Sequence, residues 1–183
     1  MYAPTAILMT SIHTGTTGIR AEGRGDLSAY FEDVKSMKKY MSSGPGETID
    51  IGFRLGRLLM PGDVVGLYGD LGAGKTVMVK GIARAFGIEE RDVVSASFTI
   101  ISEYDTAPPF VHVDLYRVGT KEELFELGLW EHLGGDGISV IEWAEKVEEW
   151  LPEGSVKVRL KAINEDSREI EIEGIDEKSR HNL

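Results

Sequence analysis

The chain contains no cysteine. That excludes disulfides, thiolate metal sites and cysteine nucleophiles. Basic residues are scarce too: 20 Lys and Arg stand against 31 Asp and Glu, a formal net charge of −11. Affinity for nucleic acid comes largely from Lys and Arg that neutralise backbone phosphates. A chain this acidic is therefore a poor candidate for gripping nucleic acid unaided. The imbalance is steepest over residues 101–150, where three basic side chains (Arg117, Lys121 and Lys146) meet twelve acidic ones. That stretch reads either as a solvated surface that aids solubility or as a docking face for a basic partner. Long hydrophobic runs are missing as well, none approaching the roughly 20 residues of a membrane-spanning helix. The opening MYAPTAILMTSIHTGTTGIR lacks the basic start and long apolar centre of a secretory signal. The expected location is cytoplasmic, away from membranes.

What is present is enough apolar material for a core, 42% of 183 residues, in one domain of ordinary size with an appendage. Residues 1–46 are rich in Gly, Ser and Thr with little sustained periodicity, and SSGPGET closes them with turn signals. They are expected to form a partly flexible N-terminal extension, with a short helix, a strand or one of each over 27–42. From Glu47 to residue 183 the pattern sharpens. Thr48 is placed to cap a helix carrying Ile51, Leu55, Leu58 and Leu59 at helical spacing, ended by Pro61-Gly62. DVVGLYG, FVHVDLYRV and GISVIEW are short apolar runs of the kind buried in a parallel sheet. Met78, Val79, Ile82, Ala83 and Phe86 form one helical face, and Thr120 to Glu123 is a capping box. SASFTIISEYDTAPP reads as a loop. SVKVRLKAI and SREIEIEG alternate with period two about NEDS, as a hairpin does. Together these predict an α/β fold in three layers. Its sheet is expected to be mainly parallel, with the C-terminal antiparallel hairpin at the edge.

Gly69-Asp70-Leu71-Gly72-Ala73-Gly74-Lys75-Thr76 matches G-x-x-x-x-G-K-[ST] in full. The glycines let consecutive N–H groups turn toward phosphate oxygens, and the helix that follows adds its positive dipole end. Lys75 supplies a point charge for the β- and γ-phosphates, and the Thr76 hydroxyl suits Mg²⁺. The placement between a buried strand and an amphipathic helix separates this match from a chance glycine-rich turn. No N-K-x-D guanine-reading motif follows, so ATP is the expected nucleotide.

A P-loop enzyme also needs an acid at a neighbouring strand end to hold Mg²⁺, and a group that orients the nucleophile. Two strands run straight into a carboxylate, at Asp114 and at Glu142. Strand C-terminal ends are where ligands bind in open α/β sheets. Chemistry alone leaves open which acid serves the metal and which the water. His112 shares a strand face with Asp114 and reads as packed rather than catalytic. Trp143 reads equally as a stacking or a packing residue. Ser95, Ser97 and Thr99 lie where P-loop switches sense the γ-phosphate, though an ordinary polar loop fits them equally.

In this order, GDLGAGKT, S-x-S-F-T…EY, HVDLYR and VIEW resemble the TsaE (YjeE) family of bacterial P-loop ATPases, over about residues 47–168. The resemblance implies a cytoplasmic ATPase that works with TsaB- and TsaD-like proteins to make threonylcarbamoyladenosine in tRNA. In that scheme TsaD carries the transfer chemistry, ATP hydrolysis resets the complex, and tRNA is reached through the complex. By resemblance, Lys75 and Thr76 match the phosphate lysine and the magnesium hydroxyl, Glu142 the magnesium-side acid, and Asp114 an acid needed for hydrolysis. Trp143 matches the adjoining tryptophan, while Thr48 and Arg168 would flank the adenine. One departure is Ser95-Ala96-Ser97, where the family reads S-P-T. Two other classes of function fit the motifs less well: a small-molecule P-loop kinase, which would need an arginine-rich lid, and a nucleotide-gated binding subunit without catalysis.

Overall fold

The computed structural model describes residues 37–94 and 100–175. The expectations for residues 1–36 and for the Ser95–Thr99 switch segment lie outside them. The elements are β1 (Lys38–Ser42), α1 (Pro45–Gly56), β2 (Val64–Tyr68), α2 (Lys75–Arg84), β3 (Ile101–Tyr104), β4 (Phe110–Asp114), α3 (Lys121–Glu126), β5 (Ile138–Glu142), β6 (Val156–Ala162) and β7 (Arg168–Glu173). Three single-turn 3₁₀ segments, Leu129–His132, Ala144–Lys146 and Glu148–Trp150, line the chain on either side of β5.

The seven strands form one mixed sheet in the order β1-β7-β6-β2-β5-β4-β3. Its centre is parallel, β2 pairing with both β5 and β6, and β4 with β5. β2 and β5 are apolar along their whole length because helices and turns cover both faces. Val65, Leu67, Phe110, Ile138 and Val140 face one core with α1 and α2, while Val64, Val113 and Ile141 face a second core with Leu124 and Leu129. This two-sided burial is the expected three-layer α/β arrangement.

The structure departs from the sequence reading in three places. The hairpin β6–β7 forms, but it does not end the sheet. β1 pairs antiparallel with β7, Lys39 opposite Glu171, and their side chains form an ion pair. The sheet thus takes in residues upstream of the division at Glu47. Second, the stretch read as a loop holds β3, antiparallel to β4 with Ile101 opposite Val113. At four partly exposed residues it is too short to show a period. Antiparallel strands flank the parallel centre on both sides, so the sheet is mixed rather than mainly parallel. Third, α1 begins at Pro45 rather than at a Thr48 cap, with Gly44 in the capping position. Proline fits the first helical turn because its φ is already set and no intrahelical bond needs its N–H. The same Pro-Gly pair reads as a turn in sequence.

α1 and α2 cross with almost no space between their backbones. A Cβ on Gly81 would sit 2.2 Å from the Ile49 carbonyl oxygen, and one on Gly52 would sit 2.6 Å from that of Met78. This contact ties the helix that follows the glycine-rich loop to the helix beside it.

Candidate functional site

The parallel register brings the site residues to one sheet edge. Asp114 lies opposite Glu142, and Glu142 opposite Leu67, one residue before β2 ends in Tyr68. From there residues 69–74 loop over into α2. Gly69 has φ 138°, and a Cβ there would lie 2.3 Å from the Leu160 carbonyl oxygen, so only glycine fits against β6. Gly74 caps α2 at φ 101°, a left-handed conformation that side chains with a Cβ rarely adopt.

Lys75 is folded back into this loop. Its ammonium donates to the carbonyl oxygens of Gly69 at 2.5 Å and Asp70 at 2.9 Å, and lies 3.6 Å from the centre of the Trp143 ring. Burial pushes its pKa below the ordinary lysine value, against the attraction of Glu142, Glu145, Asp114 and Asp70. Trp143 is held at φ 61°, the single non-glycine residue with positive φ among the described residues. Its ring also rests against Tyr116, centroids 5.2 Å apart. Such a conformation costs on the order of 1–3 kcal/mol and persists where packing enforces it, commonly at functional sites.

The Thr76 hydroxyl donates to Glu142 Oε2 at 2.9 Å. The other oxygen, Oε1, is 3.0 Å from His112 Nε2, and both residues are almost wholly buried. His112 is therefore packed, as its strand position suggested, and its packing partner is a site carboxylate. Asp114 is buried beside them and accepts the Tyr116 N–H on Oδ1 at 3.0 Å.

These groups open onto one cleft of about 380 Å³. Of the residues singled out in the sequence, Thr48, Leu71, Gly72, Gly74, Lys75, Thr76, Asp114, Glu142, Trp143 and Arg168 line it, whereas Gly69, Asp70 and Ala73 belong to the loop but do not line the cleft. Thr48 reaches the cleft from within α1, with its hydroxyl 2.8 Å from Ser42 Oγ and donating to the Gly44 carbonyl oxygen at 3.3 Å. Sequence reasoning missed Pro45, Val77, Tyr116 and Arg117 as lining residues. The signal for the last two was present, since Tyr116 and Arg117 follow the strand acid directly in D-L-Y-R.

Among the described residues no three His, Asp or Glu side chains cluster as a preformed metal cage. A hydroxyl and a carboxylate in contact at a helix start suit Mg²⁺ instead, which takes one or two protein oxygens and completes its shell with water and phosphate. Also among the described residues, no helix is long and apolar enough to cross a membrane.

Comparison with known proteins decides the family. The family described as "Threonylcarbamoyl adenosine biosynthesis protein TsaE" matches residues 42–170. The chain belongs to the TsaE family. The tRNA threonylcarbamoyladenosine biosynthesis protein TsaE of Bacillus subtilis (strain 168) is 40% identical over 152 residues, 78% of this chain and 94% of the relative. The TsaE of Treponema pallidum (strain Nichols) is 39% identical over 132 residues, 72% of this chain and 97% of the relative. The crystal structure of Bacillus subtilis YdiB superposes with a TM-score of 0.65 at 36% identity, covering 81% of this chain and 97% of that one. The matched TsaE region runs from the last residue of β1 into β7, and so contains the glycine-rich loop and both strand-end acids.

Proposed function

We propose that the cleft binds Mg-ATP and that the chain is a P-loop ATPase, its hydrolysis driving or resetting a complex that makes threonylcarbamoyladenosine in tRNA. The observation that carries this reading is the contact between Thr76 and Glu142 at the foot of the loop that holds Lys75. A phosphate cradle, a lysine and a hydroxyl–carboxylate pair converge there, with a second buried acid one strand away.

In this reading Lys75 leaves its two loop carbonyls for the β- and γ-phosphates, and Thr76 and Glu142 hold the magnesium ion. Magnesium, when bound, offsets charge that builds on the phosphate oxygens during in-line displacement. Trp143 covers Lys75 and keeps water from it. Asp114 sits beside Glu142 and orients the attacking water toward the terminal phosphate. His112 holds Glu142 through the oxygen that Thr76 does not use. Thr48 and Arg168, which also line the cleft, flank the base.

The family supports the place of this activity in tRNA modification. The partners proposed are TsaB- and TsaD-like proteins in the cytoplasm, tRNA being engaged through them rather than by this acidic chain. The deciding experiment is ATP turnover by the full chain with and without Mg²⁺, with the products identified. Magnesium-dependent release of ADP and inorganic phosphate is expected. ADP release that requires a small-molecule acceptor and yields a phosphorylated acceptor would establish a kinase instead. Recovery of TsaB- and TsaD-like proteins with the chain in the presence of ATP tests the partners.

A further inference from the structure

The turn after β4 is clamped by a single cation. Val118 N–H bonds back to the Leu115 carbonyl at 3.0 Å, closing a tight turn with Tyr116 and Arg117 at its tip. Leu115 and Val118 are anchored in the second core. Lys146, from the 3₁₀ turn after β5, donates to the carbonyl oxygens of Leu115 at 2.8 Å, Tyr116 at 2.8 Å and Val118 at 2.7 Å. An ammonium has three donors, so this one is fully engaged on the turn. From the other side Asp114 takes the Tyr116 N–H, and the Glu142 carbonyl takes the Leu115 N–H at 3.2 Å. The turn's carbonyls are thereby drawn to Lys146, and Tyr116 and Arg117 line the cleft.

Among the described residues Arg117, like Arg168 in the same cleft, makes no ion pair, although Asp114 and Glu142 line that cleft too. Arg117 is an exposed cation lining the cleft that also holds Lys75 and Thr76, in a chain of net charge −11. A guanidinium held there matches a phosphoryl group through two parallel N–H donors.

We propose that Arg117 contacts the terminal phosphate of the bound nucleotide and that Lys146 is the positioning residue that keeps it there. This rests on the nucleotide reading above. Lys75 and Thr76, the groups that take the terminal end of a nucleotide in such a loop, line the same cleft as Arg117, which puts that phosphate in the space Arg117 faces. Arg117 then stabilises the charge of hydrolysis from within the same chain.

The test is titration of the full chain, with Mg²⁺, by ADP and by a non-hydrolysable ATP analogue. Arg117→Ala is expected to weaken the analogue about tenfold or more, the worth of a charge-assisted hydrogen bond, and to leave ADP nearly unchanged. Its thermal midpoint should stay at the wild-type value, since the side chain is exposed. Arg117→Lys restores only part of the preference, a point charge lacking the fork. Lys146→Met should show the same selective loss, and the double variant no more loss than Arg117→Ala alone. Lys146→Gln, which keeps amide donors for the carbonyls, serves where the methionine variant does not fold, and should lose part of the preference. Equal weakening of both ligands, or none, in the Arg117 variants overturns the phosphate contact. Unchanged discrimination in a folded Lys146 variant overturns the positioning role. Failure of the wild type to bind either ligand is a different result, and would remove the nucleotide reading itself.

Discussion

Thr76 Oγ1 and Glu142 Oε2 lie 2.9 Å apart although 66 residues separate them in the chain. The contact joins the first turn of α2 to the end of β5, where the proposed reading puts a magnesium ion. Thr76→Ala and Glu142→Gln are each expected to weaken Mg-ATP binding by about tenfold or more, as loss of a charge-assisted contact does. Binding without Mg²⁺ should change far less. Calorimetric titration with and without the ion checks this, and equal weakening in both conditions would assign the pair a purely structural role.

Asp114 stands one strand further out, beside Glu142 in register. Asp114→Asn keeps the shape of the side chain and its contact with the Tyr116 N–H. It is expected to bind ATP as the wild type does and to hydrolyse it about 10²-fold more slowly, the scale of a lost general base. Single-turnover hydrolysis beside an equilibrium titration separates the two effects. If repeated rounds of tRNA modification continue with a variant that cannot hydrolyse ATP, hydrolysis is dispensable and the chain acts as a nucleotide-gated subunit.

Gly81 supports the site without touching it. Its added methyl would meet the Ile49 carbonyl oxygen at 2.2 Å, a backbone atom that cannot swing away. Gly81→Ala is expected to cost at least about 1–3 kcal/mol, the range for overpacking a tight contact. For a domain of this size that lowers the midpoint by about 2–4 °C per kcal/mol. Thermal unfolding measures it, and a midpoint at the wild-type value would mean that the helices part without cost.

A pH effect follows from Glu148. Burial works to raise its pKa, but hydrogen bonds from Lys157 and Tyr68 outweigh it and hold the carboxyl below its ordinary value of 4.5. Its stabilising contribution is present above 4.5 and disappears as the pH falls through the lowered folded value. The gap in thermal midpoint between the wild type and Glu148→Gln should therefore be constant near neutrality and close in acid. Because the group is partly exposed, salt should narrow the gap as well. A gap independent of pH would contradict this.

Much of the framework was legible in the sequence because it rests on local signals. A fully apolar run such as VVGLY forms a strand buried on both faces, and ISVIE does the same. The glycine-rich loop declared itself by spacing, and each acid by standing at the end of a strand. The Thr120 cap formed as its motif indicated, the hydroxyl accepting the Glu123 N–H at 3.2 Å. The edges of the sheet were less legible, a strand over 27–42 being only one of the alternatives there. β3 is four partly exposed residues long, and β1 lies in a stretch without sustained alternation, so neither carries enough period to stand out. Their pairing comes from strands that are distant in sequence.

By itself, then, the sequence determined the α/β framework, the loop and the two acids, since strand burial and glycine conformation depend on residues next to one another. Which acid meets Thr76 was a matter for the tertiary structure. So was the burial of His112 against that acid, and so was the clamping of the turn that carries Arg117 by Lys146 from the far side of β5 in sequence. Those contacts depend on strand order and register, which set side chains side by side across the sheet, and no spacing along the chain encodes them.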